Sequence, residues 1–157
     1  MRAAQRELLG EDFQFAIDFE DDTDWGDYLA TLTRQHAGID LPADRVAATF
    51  LVAEVDGEIV GRASIRHELN DWLLAHGGHI GYGVRPAHRR RGHASEILRQ
   101  SLIIARAHGV DRALLTCDDD NVGSRAVIEG AGGRLDEAWP LAEPDGDTSA
   151  RRRYWID

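Results

Sequence analysis

A run of three arginines followed by a glycine is the part of this sequence whose residue types point most directly to chemistry. Arg89-Arg90-Arg91-Gly92-His93-Ala94 lies between a short β-favouring run that stops at Pro86 and a segment whose apolar residues recur at helical spacing. A helix entered through a glycine turn directs unpaired N–H groups and the positive end of its dipole at the turn. The pattern therefore predicts a strand, a basic turn and a helix that bind a phosphate or pyrophosphate group.

Each residue type in this turn suits an anion site. Gly92 lets the backbone approach a ligand closely, and the small side chain of Ala94 leaves the helix start uncrowded. Arg89, Arg90 and Arg91 add fixed positive charge. The dinucleotide fingerprint and the P-loop are excluded, because the sequence has neither G-x-G-x-x-G nor Gly-Lys-Ser/Thr.

These residues resemble the acetyl-CoA motif of the GCN5-related N-acetyltransferase (GNAT) superfamily, Gln/Arg-x-x-Gly-x-Gly/Ala, which follows a strand that often ends in Val-x-Pro. Val84-Arg85-Pro86 precedes Arg89 to Ala94 in the matching register. A later segment, Asp118 to Gly133, resembles the second cofactor segment of the family, an Asn-x-x-Ser/Ala helix after a strand. The phrases RHELN, GGHIGYGVRP, LLTCDDDN and RYWI are similar, more narrowly, to a subgroup of predicted bacterial acetyltransferases.

The resemblance implies that acetyl-CoA is the cosubstrate and that no metal takes part. It implies a pyrophosphate on the turn from Arg91 through Gly92 and His93 to Ala94, and a pantetheine arm near Asn121 and Ser124. Backbone N–H groups near Gly83 and Val84 would polarise the thioester carbonyl, by the logic of an oxyanion hole.

The resemblance also implies an α/β protein with the GNAT fold, a mixed, mostly antiparallel and twisted sheet with helices on both faces. We expect one domain over residues 1–157, with residues 1–48 forming N-terminal helices near the acceptor cleft and residues 49–157 carrying the sheet and the acetyl-CoA motifs. The dipeptide Asp56-Gly57 predicts a tight hairpin between two strands. Residues 2–19 predict one helix interrupted or capped near Gly10, and Thr23 or Asp24 can cap a second helix that runs to His36.

A final hairpin is predicted from Arg134 to Trp139 and from Arg151 to Ile156, with its turn over residues 140–147. The triplet Arg151-Arg152-Arg153 is interpreted as a solvated strand end rather than a second phosphate site.

Acetyl transfer to an amine requires a base, because a lysine-like amine has a pKa of about 10.4 and must lose a proton before attack. Glu68 and His79, in and after the polar loop at His67 to Asp71, are the candidate bases. Many relatives carry a tyrosine acid seven residues after the asparagine, where this sequence has Ile128. The role of the acid is therefore left to water, Cys117, Ser124 or Tyr82.

The composition of the chain indicates which classes of binding partner are disfavoured. The chain of 157 residues has a net charge of -10, which disfavours binding to nucleic acid, and no apolar run long enough to span a bilayer. One cysteine and a charged N-terminus without a signal-like apolar run suit a cytoplasmic protein. His67, His76 and His79 with Glu68 match no standard zinc spacing, so we expect no metal.

Two hypotheses follow from these residues. The first is an acetyl-CoA-dependent N-acetyltransferase that moves an acetyl group to a primary amine, on a small molecule or a peptide, by direct attack on the thioester. The second is a CoA-binding sensor or regulatory module with reduced catalysis, which Ile128 at the tyrosine position supports. A homodimer is compatible with either hypothesis.

Overall fold

Two helices precede the first strand in the computed structural model, which describes residues 1–9, 13–139 and 151–157. Helix α1 spans Arg2–Leu9 and helix α2 spans Trp25–Ala37. Asp24 caps α2 as predicted, because its carboxylate accepts the N–H groups of Gly26 and Asp27 at 2.8 and 3.1 Å.

Of the two predicted alternatives, a helix interrupted near Gly10 and continuing to Phe19 is wrong, because α1 ends at Leu9 and residues 15–18 form bends and turns. Phe15 packs with Leu8 of α1, whereas Phe19 packs with Tyr28 of α2. Packing against two different helices therefore overrides the helical spacing of the apolar residues in this segment.

The first sheet has the order β1-β2-β3 and is antiparallel throughout. Its strands are β1 (Ala48–Val55), β2 (Glu58–Arg66) and β3 (Ile80–Val84). Asp56 and Gly57 join β1 to β2 with φ angles of 51° and 80°, and two positive φ angles are what a type I′ turn requires. The predicted hairpin is therefore confirmed. A single π-helical turn, Leu73–Gly77, lies between β2 and β3.

The second sheet has the order β4-β6-β5 and is also antiparallel. After β3, a short 3-10 turn (Pro86–His88) leads to helix α3 (His93–Ala107), strand β4 (Ala113–Asp118) and helix α4 (Val122–Gly130). Strands β5 (Arg134–Leu135) and β6 (Arg151–Ile156) then pair with each other, which confirms the final hairpin. The predicted turn at residues 140–147 lies outside the described residues.

The two sheets meet at one point, an isolated bridge between Gly78 and Leu115. Beside it the N–H of His79 donates to the carbonyl of Leu114 at 2.7 Å. Only glycine fits at position 78, because a Cβ there would lie 2.5 Å from the Leu114 oxygen and φ is 68°. Between β3 and β4 themselves no strand pairing continues in the described chain, so the two strands part beyond this bridge.

Helix α3 covers one side of the first sheet. Its Ile97 packs with Ala63 and Val84, and its Leu98 and Leu102 join the main core. That core extends to the second sheet through buried Leu115, Tyr154 and Ile156. The predicted α/β class with antiparallel strands and helices is thus confirmed. None of the described helices has the length and apolar character that a membrane-spanning helix requires.

Candidate active site

The opening between β3 and β4, called the inter-sheet gap below, exposes backbone groups of β3. The N–H of Arg85 donates to the carbonyl of Val60, and the N–H of Arg66 donates to the carbonyl of His79. The backbone N–H and C=O groups of the odd-numbered residues of β3 therefore point towards β2. Bonded positions alternate along an antiparallel strand, so the N–H groups of Tyr82 and Val84 point towards β4 instead. The N–H groups of Gly83 and Val84 were both predicted to polarise the thioester carbonyl. The N–H of Val84 points into the gap, whereas the N–H of Gly83 points towards β2.

Gly83 has a different structural reason to be glycine. A Cβ at this position would lie 2.4 Å from the ring of Phe13, so the aromatic ring packs directly on the strand backbone. The segment that carries Phe13 thereby covers the side of the sheet opposite α3. The gap consequently lies between the N-terminal segment on one side and α3 and α4 on the other.

The predicted basic turn lies at the C-terminal end of β3 and leads into α3. Gly92 is the residue before α3 and has a φ of 83°, and Arg90 also has a positive φ, of 61°. No side chain caps the helix, and a Cβ at Gly92 would meet open space. In the described chain, no acceptor pairs with the N–H groups of residues 91–95, since the first helical bond is from Glu96 to Gly92. The turn therefore presents several backbone donors to solvent.

The three arginines differ in their surroundings. The Nε of Arg89 donates to the carbonyl of Val84 at 3.0 Å, which ties the turn to the end of β3. Arg90 and Arg91 are exposed, and no described carboxylate forms an ion pair with either. By contrast, Arg85 is paired with Glu7 and Glu58 at 2.7 and 3.1 Å, so its charge is already neutralised. In the described part of the turn, positive charge without a described ion pair thus comes from Arg90 and Arg91.

Side chains from β3, β4 and α4 meet across the gap. The Tyr82 hydroxyl lies 3.1 Å from Ser124 Oγ, and Ser124 also acts on the neighbouring Cys117 thiol, whose pKa it lowers slightly against the effect of burial. Burial raises the pKa of Tyr82 to about 12 and the pKa of Cys117 to about 11. Both groups therefore stay protonated near neutral pH, so Tyr82 can donate a hydrogen bond and Cys117 is not a thiolate nucleophile.

Asn121 caps α4 as predicted. Its Oδ1 accepts the N–H of Ser124 at 2.9 Å, and its side chain is exposed. The carboxamide nitrogen is thereby turned away from the helix and is available to a ligand. Asn121 and Ser124 are consequently brought to one end of α4, as the spacing predicted.

His79 holds the two sheets together. Its Nδ1 accepts the N–H of Leu114 at 2.9 Å, in addition to the backbone bond in the opposite direction. Since the backbone N–H is the donor, Nδ1 has no free lone pair, and the neutral ring carries its proton on Nε2. Burial, and then the charge of Arg66, lower the pKa of His79 to about 4. In this arrangement the ring has no basic nitrogen to offer an acceptor amine.

Glu68 differs from His79 in being exposed to solvent. It lies in the loop after β2, where Asn70 orders the chain by accepting the N–H of Leu73 at 2.9 Å and donating to the carbonyl of Asp44 at 2.9 Å. Its charge acts on the neighbouring His67. The Glu68 carboxylate is thus open to solvent at the start of this loop.

One buried arginine, Arg62, and one half-buried arginine, Arg66, lie on the side of β2 opposite α3, and sequence reasoning missed both. Arg62 donates to the carbonyls of Gly81 and Gln14 at 3.2 and 2.8 Å, and its guanidinium stacks on Phe13 at 4.3 Å. Arg66 donates to the carbonyls of Gly77 and Gly78. Burial and the neighbouring Arg66 lower the pKa of Arg62 to about 10. The signal in the sequence was the alternation Arg62, Ser64, Arg66 along one face of a strand.

Ile128, which stands where many relatives carry a tyrosine, is fully buried in the main core, and a Cβ on Gly133 would lie 2.6 Å from it. One sequence interpretation is corrected here. The triplet Arg151 to Arg153 is not a solvated strand end: it pairs with three carboxylates, because β6 lies beside β4 and β5. The partners in order are Asp118, Asp119 and Asp136.

A surface depression of about 420 Å³ lies elsewhere, between α2 and the loop that follows it. Its lining includes Arg34, Ile39, Pro42 and Arg45, and none of the residues predicted to bind a cofactor. The depression therefore does not coincide with the residues predicted to bind a cofactor.

Comparison with known proteins agrees with this architecture. The family model described as Acetyltransferase (GNAT) family matches residues 4–132. Among solved structures, yncA of Salmonella typhimurium with its cofactor acetyl-CoA is 19% identical, with a TM-score of 0.62, covering 99% of this chain and 84% of that one. RimJ of Mycobacterium smegmatis in complex with CoA-disulfide is 22% identical, with a TM-score of 0.63 and coverage of 99% and 76%.

A third similar structure is the ribosomal-protein-alanine N-acetyltransferase of Brucella melitensis, 18% identical, with a TM-score of 0.62 and coverage of 99% and 95%. No curated protein matches the sequence. At these identities the structures establish the fold alone, while the family model covers most of the chain. The protein thus has the α/β fold of an acetyltransferase with an open sheet. The chain belongs to the GNAT acetyltransferase family.

Proposed function

We propose that this protein is an acetyl-CoA-dependent N-acetyltransferase that moves the acetyl group to a primary amine. The observation that carries the proposal is the parting of β3 from β4 beyond the Gly78–Leu115 bridge, with the basic turn at the C-terminal end of β3. An extended thioester arm fits such an opening, because one edge of β3 has backbone groups without a strand partner. The structures of yncA with acetyl-CoA and of RimJ with CoA-disulfide support the same cosubstrate.

The residues at the turn fit the phosphates of acetyl-CoA. Backbone N–H groups of Arg91, Gly92, His93 and Ala94 would bind the pyrophosphate, with the positive end of the α3 dipole behind them. Exposed Arg90 and Arg91, together with Arg89, would add charge for the remaining phosphate. Asn121 would bind the pantetheine arm through the carboxamide nitrogen that its capping bond leaves available.

When bound, acetyl-CoA supplies an activated acetyl group as a thioester. The amine nitrogen forms a bond to the carbonyl carbon, the carbon–sulfur bond breaks, and the amine proton leaves to a base. The N–H of Val84, which points into the gap, would stabilise negative charge on the carbonyl oxygen. Glu68 would accept the amine proton, through one water where the distance requires it.

Tyr82 would stabilise the departing thiolate with a hydrogen bond. Its hydroxyl is protonated near neutral pH and is already held by Ser124 at 3.1 Å. Tyr82 would thus take the role of the tyrosine acid that many relatives carry at the position of Ile128. Of the two candidate bases, Glu68 keeps the catalytic assignment, and His79 would act as a positioning residue that fixes the mouth of the gap.

The proposal is tested by turnover of acetyl-CoA, measured as free thiol released, with a panel of amines: an N-terminal alanine peptide, a lysine peptide, a polyamine and an amino acid. We expect amine-dependent thiol release and an acetylated product of the matching mass. Tight binding of acetyl-CoA by calorimetry, with no transfer to any amine, would instead support the sensor hypothesis. The absence of acetyl-CoA binding would overturn both.

A further inference from the structure

Three histidines from three elements converge at the end of the molecule opposite the basic turn. His36 lies in the last turn of α2, His67 follows β2, and His108 ends α3. One ring nitrogen of each lies within 4.8 Å of the others. Helix α3 has 15 residues, so the cluster is about 20 Å from the turn at Gly92. The cluster is therefore separate from the proposed pyrophosphate-binding turn.

The three rings contact one another and Thr49 before any ligand binds. Thr49 Oγ1 lies 2.9 Å from His36 Nδ1 and 2.9 Å from His67 Nε2, which ties α2 to the strand end. The ring of His108 stacks on that of His67, with centroids 3.8 Å apart and planes 6° apart. His36 meets both rings edge on. Imidazole nitrogens are the commonest metal ligands in proteins.

The charge of the surroundings also suits a cation. Glu68 is the residue that follows His67, and the overall charge of the chain is -10.

The geometry requires only a small adjustment to bind an ion. Zinc holds imidazole nitrogens at about 2.0–2.1 Å in a tetrahedron, which sets them about 3.3 Å apart. The separations in the cluster, within 4.8 Å, must thus shrink by about 1.5 Å at most. One ring must turn out of the stack so that its nitrogen points at the same ion. His36 and His108 are exposed, and turning about their side-chain bonds disturbs no buried packing.

We infer that His36, His67 and His108 form a binding site for one divalent transition-metal ion of the zinc class, with water as the fourth ligand. Three imidazoles suit Zn²⁺, Ni²⁺ or Cu²⁺ and disfavour Mg²⁺ or Ca²⁺, which prefer oxygen. A bound ion would link α2, the end of β2 and α3, and it would fix the loop that begins at His67. The site does not depend on the proposed acetyl transfer.

The test is calorimetric titration of tag-free protein with Zn²⁺, followed by Co²⁺ titration monitored by visible absorption. We expect one Zn²⁺ per chain and the absorption of a tetrahedral nitrogen-ligated Co²⁺ ion. His36→Ala and His108→Ala should each weaken Zn²⁺ binding at least about tenfold. His93→Ala is the matched control, since it makes the same substitution at the other end of α3. It should leave Zn²⁺ affinity unchanged.

Three results would overturn the inference. The first is the absence of saturable binding at one equivalent of Zn²⁺. The second is an equal loss of affinity in His93→Ala and His108→Ala, which would indicate diffuse binding to surface histidines. The third is a thiolate-to-Co²⁺ charge-transfer band, which would assign the ion to Cys117. Far-ultraviolet circular dichroism of each variant separates a lost ligand from a lost fold.

Discussion

The N–H of Leu114 donates to Nδ1 of His79 at 2.9 Å, and the N–H of His79 donates to the carbonyl of Leu114 at 2.7 Å. This reciprocal pair joins the two sheets at the point from which β3 and β4 part. The imidazole is therefore a structural contact at the mouth of the inter-sheet gap. The lone pair of Nδ1 is engaged with the backbone, so in this arrangement Nδ1 is not available to accept a proton from an amine.

We predict that His79→Ala lowers the free energy of unfolding by about 1–3 kcal/mol at pH 7, because the N–H of Leu114 loses its acceptor. Urea denaturation followed by circular dichroism measures this change. If the stability were unchanged and a titrating limb disappeared from the pH–rate profile, His79 would be a base after all.

The same residue predicts a pH dependence of stability. The pKa of His79 is about 4 in the folded protein and near 6.5 in the unfolded chain, so the unfolded chain binds the proton more readily. The contribution of His79 to the free energy of unfolding is therefore complete above about pH 6.5 and is lost as the pH falls towards 4. We expect it to be on the order of 2 kcal/mol, reduced by partial solvent exposure of the ring. Comparing unfolding of the wild type and His79→Ala at several pH values isolates it.

We predict that Gly92→Trp abolishes binding of acetyl-CoA. Gly92 and Gly109 flank α3 with φ angles of 83° and 84°, and a Cβ at either would meet open space. Gly109→Trp is therefore a matched control, because both variants carry the same backbone strain, of about 1 kcal/mol or more. Only Gly92→Trp places a side chain where the pyrophosphate would bind. Calorimetry that finds equal acetyl-CoA affinities in the two variants would refute the placement.

We predict that Tyr82→Phe lowers kcat at least about tenfold and leaves acetyl-CoA affinity nearly unchanged, because only the hydrogen bond to the departing thiolate is lost. Tyr154→Phe is the control. It also removes one hydroxyl from a hydrogen bond, to Glu129 at 2.8 Å, but within the core. Single-turnover kinetics distinguish the two, and an unaltered rate for Tyr82→Phe would leave the acid role to water.

We predict that Glu68→Gln lowers the rate about 10²-fold on the best acceptor, the usual scale for loss of a general base. The acidic limb of the pH–rate profile should disappear with it, since the group that must be deprotonated is gone. Glu54→Gln, another exposed glutamate, on β1, should keep the wild-type profile. Full turnover by Glu68→Gln would mean that bulk solvent takes the proton.

Much of the site could be read from local sequence because it depends on short-range geometry. The turn at Arg89 to Ala94, the glycine with positive φ and the Asn121 cap each follow from neighbouring residues, and the structure confirms the local conformation of each. The Asp56-Gly57 hairpin is of the same kind, since two positive φ angles fix the turn. These features are encoded within a few residues of one another.

The roles of His79, Ile128 and the last arginines were decided by tertiary structure. Whether an imidazole is a base depends on what its nitrogens touch, and the partner of His79 is 35 positions away in β4. Ile128 is buried because α4 packs on the core, and Arg151 to Arg153 are paired because β6 lies between β4 and β5. The convergence of His36, His67 and His108 likewise joins residues from three elements. Sequence spacing reports contacts along the chain, whereas contacts between distant segments exist only once the two sheets and their helices have packed together.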